Sequence, residues 1–447
     1  MCGILISTKE ISDPVSTLLV NRGPDYTNIK KGNGINFVHT LLSMTGKFTI
    51  QPVVKNNVYF LLNGEIYNYN KNKNYDSDIF YIIDLYFKHG EDFVRYLDGE
   101  FSIVIVDFDK NLALFCTDIF GIKPLYFGTK NNDFGVCSYE EPLLNLGFDK
   151  INKVEPSSLI RFSLKNRKVE SKKKYFEFEL RQYKQNYDEW VESFLDAITK
   201  RFKNTDKKII LPLSSGFDSG AISCAFELLN INSTFYSFFN YEHERVLKNR
   251  IKIIEKNNKV YTKKSLKEEE RNHAIKLIKE KCSVFEYGPN LDKNSSVFEG
   301  INDPGAHGLA YLLDIVKRED DDIKILASGH GADEIMSNID SYHFGKPNPE
   351  IFPEDLVDIF PWQNFYFGTQ SSYLAKEESI SGGFGIEGRY PFLDKKVVQE
   401  YLSLSERLKN KEFKSPIVYF LKKHRYPYRK SRTLLGKKIS VKSGFSA

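Results

Sequence analysis

Cysteine is scarce and scattered. Cys2, Cys116, Cys137, Cys224 and Cys282 are five among 447 residues, odd in number and nowhere in CxxC spacing. This excludes a disulfide framework and a cysteine zinc site, and it points to a reducing, cytoplasmic setting. Long apolar runs are missing as well. No window approaches the ~18 uninterrupted apolar residues that a membrane span needs, so no membrane partner is expected. No basic stretch at the N-terminus leads into an apolar core, so no secretory leader is expected. A dominant charge is also lacking. The 64 basic and 59 acidic residues leave a net charge of +5, a slight excess that favours a solvated surface over a nucleic-acid partner.

What is present is an ordinary globular composition, 41% hydrophobic and 28% charged, which excludes a disordered chain. The length exceeds what one core usually supports, so two domains are expected. Residues 1 to about 165 read mostly as strands. NFVHTLLSM (36–44), VYFLLNGEIYNY (58–69), FSIVIVDFD (101–109), LALFCTD (112–118) and SLIRFSL (158–164) are β-branched or aromatic runs bounded by Gly, Asn and Asp. Between them, Asp76 to Gly90 spaces its apolar residues by three and four and predicts a helix. An α+β layered domain follows.

Beyond a charged stretch at 165–185 the pattern changes. NYDEWVESFLDAITKRF (186–202) is an amphipathic helix, KKIILPL (207–213) a short buried strand and AISCAFELLN (221–230) a helix. STFYSFFN (233–240) and IKILASG (323–329) are further strands. Strands alternating with helices predict a parallel sheet.

Three stretches carry chemistry. Cys2 is either a small apolar residue of a first strand or, once Met1 is removed, an N-terminal nucleophile. LPLSSGFDSG (211–220) joins a strand to a helix and brings backbone N–H groups and hydroxyls to a helix N-terminus, a geometry that binds phosphate. It has no GK[ST], so it is not a Walker A loop. Asp218 within it would repel phosphate unless it held a metal, which suggests Mg2+ on a pyrophosphate. Taken alone, the stretch reads equally as a turn of small residues. ASGHGADE (327–334) ends another strand and offers Asp333 and Glu334. In an open parallel sheet, two such loops could grip one Mg-nucleotide beyond the strand ends.

These and other stretches, in this order, resemble the asparagine synthetase B-like amidotransferases over nearly the whole chain. MCGI, RGPD (22–25), NGEIYN (63–68), DSD (76–78), LDGEFSIVIVD (97–107) and DIFGIKPLYFG (118–128) resemble a class II glutamine amidotransferase domain. SSGFDS, ASGHGADE, EGRYPFLD (387–394) and KSGF (442–445) resemble the family's synthetase half. The resemblance implies an N-terminal nucleophile αββα sandwich over 1–180, followed by a parallel-sheet ATP-pyrophosphatase (PP-loop) domain over 186–447. It implies that Cys2 attacks the glutamine amide with its own freed α-amine as base, and that Asn63 and Gly64 supply the oxyanion donors. Without the family, Asn63-Gly64 reads as a β-hairpin turn. Asp78 would hold the glutamine α-amine, with Leu42, Met44 and Glu65 completing the glutamine set. Leu213, Ser214, Ser215, Gly216, Asp218, Ser219 and Gly329 would bind ATP, and Asp218 and Asp333 would hold Mg2+. Lys414 would sit near the α-phosphate. Ammonia would pass through an internal tunnel to an acyl-adenylate. The implied partners are glutamine, ATP and a carboxylate acceptor, and a homodimer is allowed for.

Four departures stand out. Leu41 occupies the place of the Arg that pairs the glutamine α-carboxylate, and Thr117 that of a second Arg. His330 replaces an acidic residue and is a candidate base. Ser215 and Phe217 replace Gly and Leu in the pyrophosphate loop, a mild change. The second domain is also short for the family, which points to trimmed acceptor-binding elements. The acceptor is aspartate or another carboxylate. The alternatives are an ammonia-independent intramolecular amide ligase, similar to β-lactam synthetases or lasso-peptide cyclases, and a non-catalytic relative.

Overall fold

The computed structural model describes residues 1–11, 16–70, 74–239, 242–287, 298–337, 352–429, 432–434 and 437–439. KSGF (442–445) lies outside the described residues. The chain forms two compact units. The first takes Met1–Glu177 together with two later segments, Lys279–Val284 and Glu378–Glu387. The second takes Phe178–Ile278, Phe285–Glu377 and the chain from Gly388 onward. Among the described residues, no helix is long and apolar enough to cross a membrane.

The first unit is built on two six-stranded antiparallel sheets. One runs in the order Lys150–Lys153, Tyr126–Lys130, Asp133–Cys137, Gly3–Ser7, Ile35–Leu41, Tyr26–Gly32. The other runs Lys168–Lys174, Ser158–Ser163, Leu112–Thr117, Gly99–Asp107, Val58–Ile66, Val53–Lys55. Successive side chains on a strand point to opposite faces. Leu61, Val104, Val106 and Phe115 therefore pack against Ile4, Ile6 and Phe37 of the other sheet. Their neighbours Phe60, Leu62, Ile103 and Leu114 pack the opposite way, onto Ile79, Ile82, Ile83 and Tyr86 of helix Asp78–His89. The outer face of the first sheet is covered by Leu19 and Leu143 from two short helices. Four layers result, the αββα order expected for this half.

Helix Asp78–His89 starts two residues later than its spacing suggests, because the Asp76 carbonyl accepts the Lys47 N–H at 2.6 Å. Gly90, at φ 58°, ends it. Asn63 and Gly64 lie inside strand Val58–Ile66, opposite Ser102 and Phe101, and form no hairpin turn.

The second unit holds a five-stranded sheet in the order Lys259–Lys263, Thr234–Phe238, Lys208–Pro212, Ile323–Ala327, Glu387–Arg389. The first four strands are parallel. From Lys208–Pro212 the chain moves to one side of the sheet, and Ile323–Ala327 is laid on the other. The order reverses between these two strands, which is where open α/β sheets bind ligands.

Helix Asp188–Ile198 widens into a π turn over Thr199–Lys203. That turn sends Lys200 and Arg201 to one buried carboxylate, Asp394. Arg201 Nη1 donates to Asp394 Oδ2 at 2.8 Å. Asp394 also caps helix Lys395–Ser403 by accepting the Lys396 N–H. Burial opposes its charge, and the two cations more than offset this, holding its carboxyl well below the usual range. Asp394→Asn keeps a capping oxygen but removes the negative charge that Lys200 and Arg201 face. It is expected to destabilise the protein by about 3–5 kcal/mol, read as a lowered denaturation midpoint in urea at pH 7.

Candidate active sites

Strand Gly3–Ser7 delivers Cys2 to the end of the first sheet, where it lines a cleft. Leu41, Leu42, Met44, Gly64, Glu65 and Asp78 line the same cleft. Gly64 has φ 123°, and a Cβ there would lie 1.9 Å from the Glu100 carbonyl oxygen, so no other residue fits. Asn63 is fully buried behind the lining. Its Oδ1 accepts the Cys2 N–H at 2.9 Å and its Nδ2 donates to Ser102 Oγ at 3.3 Å.

The Cys2 thiol faces the Leu42 carbonyl at 3.9 Å. Burial pushes it up to about 11, and the nearby N-terminal ammonium only partly offsets this. Asp78 is likewise raised by burial, to about 6, against hydrogen bonds from the Ile66 N–H and the Ser77 hydroxyl.

Several residues around Cys2 were given no role from the sequence. The Met1 ammonium donates to Glu387 at 2.5 Å, and both are buried. Arg22 Nε donates to the Cys2 carbonyl at 2.9 Å. Its Nη2 pairs with Glu378 at 2.7 Å, and Lys123 meets the other Glu378 oxygen at 2.7 Å. Lys47 lines the cleft. Arg22 and Glu387 lie in RGPD and EGRYPFLD, stretches that carry the resemblance without assigning either residue a role. Nothing local pointed to Glu378.

In the second unit, the loops after Lys208–Pro212 and Ile323–Ala327 carry the remaining predicted residues except Lys414, which precedes helix Ser415–Lys423. Leu213 is buried and donates its N–H to Tyr236. Ser214 and Ser219 share a hydroxyl hydrogen bond at 2.8 Å, and the Gly216 N–H donates to Ser214 Oγ at 3.1 Å. The N–H and hydroxyl of Ser215 both donate to Glu242, so a carboxylate already occupies anion donors of this loop. Arg250, fully buried, props the loop from below by donating to the Ser214 and Gly216 carbonyls at 2.5 and 2.7 Å. A Cβ on Gly329 would lie 2.9 Å from Asp218 Cβ, so the glycine lets the two loops close up.

Asp218 and Asp333 converge on one cation. Lys414 Nζ is 2.6 Å from Asp218 and 3.0 Å from Asp333. Burial raises Asp218 to about 6, with Lys414 pulling the other way. Among the described residues, no group of three or more His, Cys, Asp or Glu could hold a metal. Two carboxylates focused on a single positive charge nonetheless suit Mg2+, which takes its other ligands from water and phosphate. His330 is buried with Nε2 2.9 Å from the Gln370 amide, and burial pushes its imidazole down to about 4. It is neutral at pH 7.

A chain that keeps Met1 has little Cys2 thiolate at neutral pH. It is expected to alkylate at Cys2 with iodoacetamide more than tenfold more slowly than an unperturbed thiol of pKa ~8.5, and chain lacking Met1 is expected to react faster. Peptide mass mapping after timed labelling checks both.

Residues 1–182 match the glutamine amidotransferase domain family. The chain is 25% identical over 414 residues to a putative glutamine-hydrolysing asparagine synthetase 1 of Methanocaldococcus jannaschii, spanning 85% of this chain and 71% of that one. It is 25% identical over 463 residues to a probable asparagine synthetase of Acanthamoeba polyphaga mimivirus, spanning 91% and 79%. It is 25% identical over 443 residues to the asparagine synthetase of Mesocricetus auratus, spanning 88% and 74%.

Proposed function

We propose that this chain, a member of the asparagine synthetase B-like glutamine amidotransferases, releases ammonia from glutamine at Cys2 and joins it to a carboxylate activated by ATP. At the coarser level it is an ATP-dependent carbon–nitrogen ligase with glutamine as nitrogen donor. The observation that carries the finer reading is the cleft that unites Cys2, Gly64 and Asp78.

Removal of Met1 turns the Cys2 backbone nitrogen, now held by Asn63, into a free α-amine. With its pKa near 8, that amine can take the thiol proton as sulfur attacks the glutamine side-chain carbonyl. The Gly64 N–H, and the Asn63 amide once turned from Ser102, face the developing oxyanion. The proton passes to the departing nitrogen, ammonia leaves, and water cleaves the thioester to glutamate. Asp78 holds the substrate's α-amine meanwhile.

In the second unit, the helix Phe217–Leu229 points its N-terminus at the loop 214–219, which suits the pyrophosphate end of ATP. Glu242 must give up the Ser215 donors for phosphate to enter. Mg2+ held by Asp218 and Asp333 would supply positive charge against the phosphates. Lys414, freed from both carboxylates, would then face the charge that builds as the acceptor carboxylate attacks the α-phosphate. The acyl-adenylate releases AMP when ammonia displaces it. His330 is neutral and could accept a proton there, though at about 4 it is a weak base. The acceptor is aspartate or another carboxylate. Passage of ammonia through a tunnel and assembly as a homodimer belong to the same proposal. Leu41 in the cleft lining favours the second reading, an amide ligase that needs no glutamine.

Cys2→Ala separates these readings. It is expected to abolish glutamine-driven AMP and pyrophosphate release with a responsive acceptor, while ammonia-driven release persists. Equal release with glutamine, before and after the substitution, would sink the glutaminase half. A pH profile adds a second check. The Asp78 carboxylate must be charged to pair the α-amine, and it is protonated below about pH 6. The KM for glutamine is therefore expected to climb by roughly tenfold per pH unit well below that value, with no matching change in the KM for ammonia when it is expressed as free NH3.

A further inference from the structure

Free glutamine is a zwitterion, so a site that prefers it to other amides must meet both charges. Buried Asp78 meets the amine. Leu41 is apolar and cannot meet the carboxylate. Among the described residues that line the cleft, Lys47 is the sole cation. We propose that Lys47 binds the α-carboxylate of the amino-acid substrate and sets the cleft's selectivity for it. This deepens the glutaminase reading above and rests on it.

The placement of Lys47 is built into the backbone. Its N–H donates to the Asp76 carbonyl at 2.6 Å, which ties the loop to the turn that starts the helix bearing Asp78. Gly46, at φ 76°, makes this approach possible: a Cβ there would sit 2.3 Å from the same carbonyl oxygen. The other end of the loop is pinned where the Ser43 N–H donates to Asp25 at 2.8 Å. The Lys47 backbone is thus held close to Asp78 in the chain's folding, while its long side chain stays free to move over the rim.

That side chain rests on Asp76 at 2.9 Å, in an ion pair whose partners are 76% and 61% exposed. Pairs so open to water are weak. A substrate carboxylate entering the cleft can replace Asp76 without leaving a buried charge behind, since Asp76 remains in solvent. The exchange also explains how the site keeps a carboxylate-binding cation without a buried arginine. A flexible, exposed ammonium gives less directional recognition than a guanidinium fork, so selectivity should be real but modest.

The test compares hydrolysis of L-glutamine with that of 4-aminobutanamide, which keeps the side-chain amide and the amine but lacks the carboxylate. Wild-type protein is expected to favour glutamine. Lys47→Ala is expected to lower kcat/KM for glutamine by roughly tenfold, through KM with kcat retained, and to leave 4-aminobutanamide unchanged. Lys47→Arg is expected to restore the preference. Because Lys47 is exposed, ammonia-driven amide synthesis should be the same in all three proteins and serves as the folding control. A Lys47→Ala protein that loses both substrates equally, or neither, overturns the proposal while ammonia release that depends on Cys2 leaves the glutaminase reading standing. Ammonia release that survives Cys2→Ala, or is absent from wild type, overturns that reading and this one with it.

Discussion

The first unit depends on one buried carboxylate. Glu378 lies in helix Gly368–Gly383 yet belongs to the same compact unit as Cys2. It pairs with Arg22 and Lys123, both fully buried, and Arg22 in turn holds the Cys2 carbonyl. Charges so far from water are tolerated only when paired and hydrogen-bonded. Tyr139 and the Glu378 carbonyl take up the remaining Arg22 donors. The backbone at Cys2 is therefore set by a residue 356 positions away from the arginine that grips it. Glu387 repeats the pattern on the Met1 ammonium. The glutaminase half is completed by a segment that the sequence order would place in the other half.

The same economy of charge governs the second unit. Asp218 and Asp333 share Lys414, and Ser215 gives its donors to Glu242. Each group proposed to face the nucleotide thus already has a protein partner of the sign that a ligand would bring. An ammonium stands between the carboxylates where a divalent cation would fit, and a carboxylate stands on the donors where a phosphate would fit.

Much of the fold was legible because burial leaves a periodic trace. Strands such as Gly99–Asp107 are covered on both faces, one by the opposing sheet and one by a helix. They therefore appear as near-continuous apolar runs. The helix at Asp78 showed its three- and four-residue spacing, and the strand–loop–helix at 208–229 showed its small residues. The turn reading of Asn63-Gly64 failed because local preference gave way to the ladder with Ser102 and Phe101. Leu41 was visible as a departure, whereas Lys47 was not singled out, since an exposed lysine in a loop carries no local mark of its use.

By itself the sequence determined the reactive groups and their local settings: a thiol at position 2, a glycine at 64, and two carboxylates in glycine-containing loops beyond strands. Only the tertiary structure decided which charges meet. Burial and the nearest opposite charge set whether Asp78, Asp218 or Cys2 is ionised. Those neighbours come from distant parts of the chain, and ion pairing depends on distance in space, which no local pattern encodes.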